Sequence, residues 1–340
     1  MGETGVVIDP RYLDHDTGRG HPERRERVAV LLELVQEQAA RVQPIAARAA
    51  TGEELALVHD GAYVEEVALT QHLPRYAFDA DTPASPQSYA TACLAAGGFL
   101  ALLEAIMAGQ VDNGFALVRP PGHHAERTRA MGFCLFNNVA VGAEYLRRVH
   151  GLSRLLIVDW DLHHGNGTQH MFERDPGVLY ISTHQYPYYP GSGAMEEVGR
   201  GEGEGFTVNL PFPAGFGDAE FAEAFTAVVE PIAEQFAPEF VLISAGFDAH
   251  VRDPLGGLEA TEAGFERMAR SLLAIAQRHA GGRCAAILEG GYDLTAIRHC
   301  AAAVLAELRG PGGEVRPAPA SRASALLEQV RAVQRRYWKL

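Results

Sequence analysis

Cysteine is scarce in this 340-residue chain. Cys93, Cys134, Cys284 and Cys300 are the only four, they sit in apolar surroundings, and none falls in C-x-x-C spacing. That argues against a cysteine zinc cluster or a disulfide framework, suggests no redox chemistry and predicts buried free thiols. Long apolar runs are missing too: by simple count no stretch approaches the roughly 18 consecutive apolar residues of a bilayer-spanning helix. Met1 to Pro10 lack the basic-then-apolar pattern of a secretory leader, so a cytoplasmic protein is expected, without membrane partners. Basic charge is in deficit, with 29 Lys plus Arg against 43 Asp plus Glu and a formal charge of −14. This argues against direct binding of nucleic acid or anionic membrane, while serving solubility and tolerating a cationic partner. No internal repeat occurs, and no flexible linker precedes Arg309.

What is present is a globular composition, 47% hydrophobic and 21% charged, sufficient for a large core. Short apolar, β-branched runs predict strands at Gly5 to Asp9, Gly114 to Val118, Leu155 to Asp161, Val178 to His184, Phe206 to Leu210, Phe240 to Phe247 and Ala285 to Glu289. Helical periodicity separates them at Pro22 to Gln38, Ser85 to Ala108, Asn137 to Val149, Asp218 to Gln235, Thr261 to His279 and Leu294 to Leu308. Strands that alternate with helices and are apolar on both faces predict an α/β fold, a mostly parallel sheet covered on both sides. Residues 1–310 read as one domain. Residues 311–340 read as a Gly/Pro-rich connection, Pro311 to Ala320, and a helix, Ser321 to Tyr337, packed on the body or on a partner subunit, so a homo-oligomer stays open.

In such a sheet ligands bind beyond the carboxyl ends of the strands, where polar residues terminating apolar runs deserve inspection. One strand ends in Asp159-Trp160-Asp161-Leu162-His163-His164-Gly165-Asn166-Gly167, another in Ala245-Gly246-Phe247-Asp248, a third in Glu289-Gly290-Gly291-Tyr292. On an extended segment Asp161 and His163 point to one side, and Asp248 can complete the set. Two carboxylates and an imidazole suit zinc with an open position, and also ferrous iron, manganese or cobalt. A lone aspartate at a strand end is more often a cap or an ion-pair partner; three convergent ends reverse that balance. Upstream, Arg119-Pro120-Pro121-Gly122-His123-His124-Ala125 sets two histidines in a turn after another strand, where they can carry protons. Asp159 and Asn166 are available to bond the far ring nitrogens and fix their tautomers.

With these motifs in place the chain resembles the histone deacetylase and deacetylase-like amidohydrolase family, in its class II-like branch. The likeness extends through Gly20-His21-Pro22-Glu23, Val58-His59, Asp81-Thr82-Pro83-Ala84-Ser85-Pro86, Gly132-Phe133-Cys134-Leu135-Phe136-Asn137-Asn138 and Tyr189-Pro190-Gly191-Ser192-Gly193. It implies a single-domain, open, mostly parallel sheet of about eight strands flanked by helices, of the arginase/deacetylase type. It also implies hydrolysis of N-ε-acyl-lysine by one zinc ion on Asp161, His163 and Asp248. His124 is then general base and acid, His123 its electrostatic partner, and Tyr292 the donor to the substrate carbonyl. Asp81 grips the substrate backbone, and Gly132, Phe133 and Tyr189 line a tunnel for the lysine chain. One or two potassium sites are implied, the first at Asp159, Asp161, His163, Ser182 and Thr183, the second at Phe172, Asp175, Val178 and Phe206.

Some enzymes of the family carry aspartate where this chain has Asn166, a neutral partner that leaves His124 less basic. Leu255 stands where a polyamine-selective relative presents a glutamate, which favours acyl-lysine in peptides or proteins without excluding small acylated amines. An arginase-like dinuclear manganese enzyme needs an Asp-x-His-x-Asp cluster, and Gly165 occupies the last position. A non-catalytic acyl-lysine binder is disfavoured by Tyr292, His123 and His124.

Overall fold

The computed structural model describes residues 3–310, 315 and 317–340. Its sheet strands are β1 (Thr4–Val7), β2 (Gln43–Pro44), β3 (Asn113–Ala116), β4 (Leu155–Asp159), β5 (Val178–Gln185), β6 (Thr207–Phe212), β7 (Phe240–Ala245) and β8 (Cys284–Leu288). They form one eight-stranded sheet in the order β2-β1-β3-β8-β7-β4-β5-β6, and every adjacent pair is parallel. The α/β fold read from the sequence is the fold observed. Seven strands coincide with the apolar runs. The eighth, β2, is a two-residue edge strand containing proline, too short for any periodicity to reveal and confined to the edge because proline lacks an N–H.

Successive residues of the central strands feed opposite cores. Leu156, Val158, Val241, Ile243, Ala286 and Leu288 join one apolar cluster, whereas Leu155, Ile157, Phe240, Leu242, Ala285 and Ile287 join the other. This is the pleat of a sheet buried on both faces. Helices Glu26–Glu37, Glu262–His279 and Leu294–Leu308 cover the first face, and Ser88–Met107 with Asn138–His150 cover the second. Helix starts follow local chemistry: Asn137, Thr261 and Asp293 each accept a first-turn N–H through the side chain. All four cysteines are buried and free.

Three expectations need correction. Ser88–Met107 does have an 18-residue window apolar enough for a membrane span, with mean hydropathy 1.8, although Gly97, Gly98 and Glu104 interrupt a simple count; 83% of that window is buried in the fold, as befits a core helix. The helix expected over Asp218 to Gln235 contains a π-type turn at Phe225–Val229 between Asp218–Ala224 and Glu230–Phe236. Pro231, which has no N–H for the carbonyl four residues back, forces that change of hydrogen-bond pattern. The strand expected to reach Asp161 stops at Asp159, for reasons that belong to the site.

Of the connection Pro311 to Ala320, residues 311–314 and 316 lie outside the described residues. Helix Ser324–Gln334 packs on the body: Leu327 and Val330 are buried, Ser324 Oγ donates to Glu223 at 2.6 Å, and Trp338 Nε1 donates to the Gly205 carbonyl at 2.8 Å.

Three buried histidines away from Asp161, His163 and Asp248 are favoured in their neutral form. His15 meets Ser88 Oγ at 2.7 Å; His59 faces the Glu126 carbonyl at 3.0 Å and accepts from Asn137 N at 2.9 Å; His184 lies between Ser182 Oγ and the Gly193 carbonyl. Burial pushes each imidazole down to about 4 from 6.5. Between those values the unfolded chain binds protons that the native state refuses, so stability falls as pH drops, by at most ~3 kcal/mol per group. Unfolding monitored from pH 7 to 4.5 is expected to show this loss setting in below pH 6.5. A flat profile there would show that these groups are not held neutral.

Candidate metal centre

The sheet order places the site. From β4 the chain continues to β5 on one side; from β7 it continues to β8 on the other; yet β4 and β7 are hydrogen-bonded neighbours. Their outgoing loops diverge and leave a crevice at the carboxyl edge, the usual ligand position of an open parallel sheet. Asp161 and His163 follow β4, and Asp248 follows β7.

Asp161 and His163 are not on an extended strand, as the spacing suggested. Past Asp159 the backbone bends, because carboxylates capture nearby amides: Asp161 N donates to Asp159 Oδ1 at 3.2 Å and His163 N to Asp161 Oδ1 at 2.9 Å, as in Asx turns. Across the crevice Leu162 N donates to Asp248 Oδ1 at 2.8 Å. The outcome is nevertheless convergence. One ligand atom from each of Asp161, His163 and Asp248 lies within 4.8 Å of the others, with His163 Nδ1 3.3 Å from Asp161 Oδ1 and 3.0 Å from Asp248 Oδ2. Gly290 closes the basin: its N–H donates to Asp161 Oδ2 at 2.8 Å, and a Cβ there would stand 2.3 Å from Asp248 Oδ2. Only glycine permits that approach.

Both aspartates are fully buried and His163 is 9% exposed. Burial favours a neutral Asp161, but the imidazoles of His123 and His163 outweigh it and keep this carboxylate ionised. Burial and the neighbouring Asp161 push Asp248 up. Burial by itself lowers His163, yet its hydrogen bonds to the two carboxylates prevail and lift it to about 9. Two buried carboxylates held together by a proton on the intervening nitrogen form a donor set that a divalent cation fits, since the cation replaces the proton.

The paired histidines overlook this basin, with rings 4.0 Å apart and His124 5.9 Å from His163. Their turn is pinned by Glu289, whose Oε2 accepts from Gly122 N at 2.6 Å and His123 N at 3.1 Å. Burial lifts the Glu289 carboxyl to about 7. His123 Nδ1 is 3.0 Å from Asp159 Oδ2, and His124 Nδ1 is 2.8 Å from Asn166 Oδ1. Against the cost of burial, Asp161 and Asp159 raise His123 well above its ordinary range. Burial, reinforced by the adjacent His123 and His163, holds His124 well below it. The two adjacent imidazoles are thereby pushed in opposite directions, His123 toward its protonated form and His124 toward its neutral one.

Gly132 has φ +57°, and a Cβ there would stand 2.4 Å from the His124 ring. Phe133 follows, also at positive φ (69°), its ring 4.7 Å from His21 and 5.8 Å from Tyr292. Tyr189 closes the other side, 5.2 Å from His124 and 37% exposed. Tyr292 is buried under the Arg27 guanidinium, 5.1 Å from its ring, and its N–H donates to Asp253 Oδ2 at 2.6 Å. Asp81 is half-buried at the rim, its carbonyl bonded to His21 Nε2 at 3.0 Å. Leu255 is half-buried, and its carbonyl accepts from Tyr188 Oη at 2.8 Å.

Of the residues that the resemblance gives to a first potassium ion, Asp159 ends β4 and pairs with Ser182 inside β5; the buried Thr183 hydroxyl has no hydrogen-bond partner among the described residues. Of those given to a second ion, Phe172, Asp175 and Val178 share one turn, with Asp175 N bonded to the Phe172 carbonyl and Val178 N to the Asp175 carbonyl, while the Phe206 carbonyl bonds Tyr180 N on the strand that follows.

Sequence reasoning assigned no role to Glu289, Glu126, Tyr180 or Tyr188. Tyr180 Oη donates to Asp159 Oδ2 at 3.0 Å, and Tyr188 stacks on His163 at 5.7 Å. Glu289, a carboxylate ending a wholly apolar strand, was the one with a visible signal.

The histone deacetylase domain family matches residues 21–308. Histone deacetylase 15 of Arabidopsis thaliana is 46% identical over 322 residues, covering 92% of this chain and 57% of that protein. A probable deacetylase of Archaeoglobus fulgidus is 37% identical over 99% of both chains. Polyamine deacetylase HDAC10 of Homo sapiens is 42% identical, over 93% of this chain and 49% of that one. The crystal structure of the HDA15 HD domain superposes with a TM-score of 0.92 at 43% identity, covering 99% of this chain and 95% of that one. With a family match over most of its length and relatives of this identity, the chain belongs to the histone deacetylase family, whose members are in general zinc-dependent hydrolases.

Proposed function

We propose that this protein hydrolyses the amide of N-ε-acetyl-lysine, or a related acyl-lysine, in peptides or proteins. The observation that carries the reading is the meeting of Asp161, His163 and Asp248 in a buried basin directly beside a neutral imidazole, His124. One zinc ion held by Asp161, His163 and Asp248 would supply activation of a water and polarisation of the amide carbonyl. His124 Nε2 takes the proton from the attacking water and returns it to the leaving amine. His123, whose protonated form Asp161 and Asp159 favour, stabilises negative charge beside it. The Tyr292 hydroxyl donates to the carbonyl oxygen as that oxygen becomes anionic. Phe133 and Tyr189 flank the methylene chain of a neutral acyl-lysine, and a free lysine, charged, leaves because its burial there is costly. Asp81 holds the peptide backbone at the rim. Potassium at Asp159 and Ser182, with a second ion at the Phe172 turn, would complete the fold beneath the zinc.

A purified sample assayed on acyl-lysine peptides and acetylpolyamines, with zinc and chelator arms, tests this directly. About one zinc per chain and abolition of peptide hydrolysis by chelation are expected; two manganese ions per chain, or chelator-resistant turnover, would overturn the reading.

A second reading, small acylated polyamines as substrate, draws support from the likeness to a polyamine deacetylase. Two features oppose it. Leu255 offers no charge to a second ammonium. Bordering Tyr292 and Pro254 is a depression of about 670 Å³ in which Arg19, Arg24, Arg25 and Arg75 outnumber the carboxylates of Asp16 and Glu26, and a rim of net positive charge disfavours polycations. Leu255→Glu is expected to shift the kcat/KM ratio toward acetylpolyamines by about tenfold, one charge pair at a partly exposed site. An unchanged ratio would show that position 255 does not gate the substrate.

A further inference from the structure

The partner of His124 is an amide, and an amide has two ends. Asn166 Nδ2 lies 2.6 Å from Glu126 Oε1, 3.3 Å from the His124 carbonyl and 3.4 Å from Met131 Sδ, all acceptors. That leaves Oδ1 facing His124 Nδ1 at 2.8 Å. A carbonyl oxygen accepts only, so Nδ1 must carry the hydrogen and Nε2 the free lone pair. If the amide turned over, Oδ1 would face the Glu126 carboxylate and Nδ2 would donate to Nδ1, moving the hydrogen to Nε2 and removing the proton acceptor. Glu126 makes that orientation unfavourable. Its Oε1 is also 2.8 Å from His170 Nδ1, whose side chain is 43% exposed, so the carboxylate is anchored from the surface side as well.

We propose that Glu126 is a positioning residue: acting through Asn166, it fixes His124 as the Nδ1–H tautomer and keeps Nε2 available for the proton. The proposal rests on the reading of His124 as the base. It also supplies a physical reason for asparagine rather than aspartate at position 166. With Glu126 present, the residue between it and His124 must donate on one side and accept on the other. An aspartate there would set two carboxylates against each other at hydrogen-bond distance. Without Glu126, aspartate becomes the better residue, since either of its oxygens accepts from Nδ1.

The test is a double-substitution cycle on the zinc-loaded protein with an acetyl-lysine peptide. Glu126→Ala is expected to lower kcat about tenfold with KM little changed, the usual scale for a partner of an active-site histidine. Glu126→Gln retains an acceptor for Asn166 Nδ2 and is expected to keep kcat within about threefold, less than 1 kcal/mol. Asn166→Asp should lower kcat in the wild-type background and raise it in the Glu126→Ala background. The same sign in both backgrounds would overturn the proposal. Nitrogen-15 spectra of labelled histidine give a readout independent of turnover: His124 should be Nδ1–H in the wild type and a tautomer mixture in Glu126→Ala. A pure Nδ1–H signal in that variant would also overturn it. If His124→Ala instead retains full turnover, the base assignment fails, while the spectra still decide what Glu126 does.

Discussion

Replacing His124 by alanine is expected to lower kcat for an acetyl-lysine peptide at least ~100-fold, the scale of a lost general base, with zinc content unchanged. The metal should stay because His124 is not among the three converging ligands. The rate should fall because no other imidazole stands in the same position: His123 is beside it but has its Nδ1 on Asp159 and its protonated form favoured by Asp161 and Asp159, and His163 is turned to the two aspartates. Burial and two neighbouring imidazoles keep His124 deprotonated, and its Nδ1 is committed to Asn166, so Nε2 is the atom left to work. Steady-state kinetics alongside metal analysis check this. Near-wild-type turnover with zinc still bound would show that the proton goes elsewhere.

Tyr292→Phe should cost a similar factor, ~100-fold or more in kcat, as loss of one preorganised oxyanion donor does. This substitution separates chemistry from packing. The phenylalanine ring can still meet Phe133 edge-on and lie beneath Arg27, and the backbone remains tied to Asp253; only the hydroxyl is lost. Burial, assisted by the nearby Asp248 charge, holds that hydroxyl protonated well above the ordinary tyrosine range, so it is a donor at any working pH. Substrate binding should change much less than turnover. If turnover is unaffected while the variant stays folded, Tyr292 is a wall of the tunnel and not the donor to the developing oxyanion.

The site was legible in unequal degrees. Asp159, Asp161 and His163 stand out because acidic and imidazole groups terminating an apolar strand are costly unless they are used. Yet an extended backbone is not what brings Asp161 and His163 together. Asx turns bend residues 160–163, and Asp248 from another loop takes the intervening Leu162 amide. Glu126 carried no signal of its own, since a glutamate after two histidines reads as an ordinary solvated residue. Its meaning lies in an amide whose two ends cannot be told apart in a string of letters.

The sequence by itself determined the alternation of apolar strands and amphipathic helices, hence a parallel sheet buried on both faces, and it determined which chemical groups sit at the strand ends. These are local properties, set by periodicity and by the cost of burying polar atoms. The tertiary structure alone decided which ends meet. His163 and Asp248 are 85 residues apart, and they face each other because the chain leaves the neighbouring strands β4 and β7 in opposite directions. Strand order is a property of the whole packing, and so is the direction in which Asn166 points.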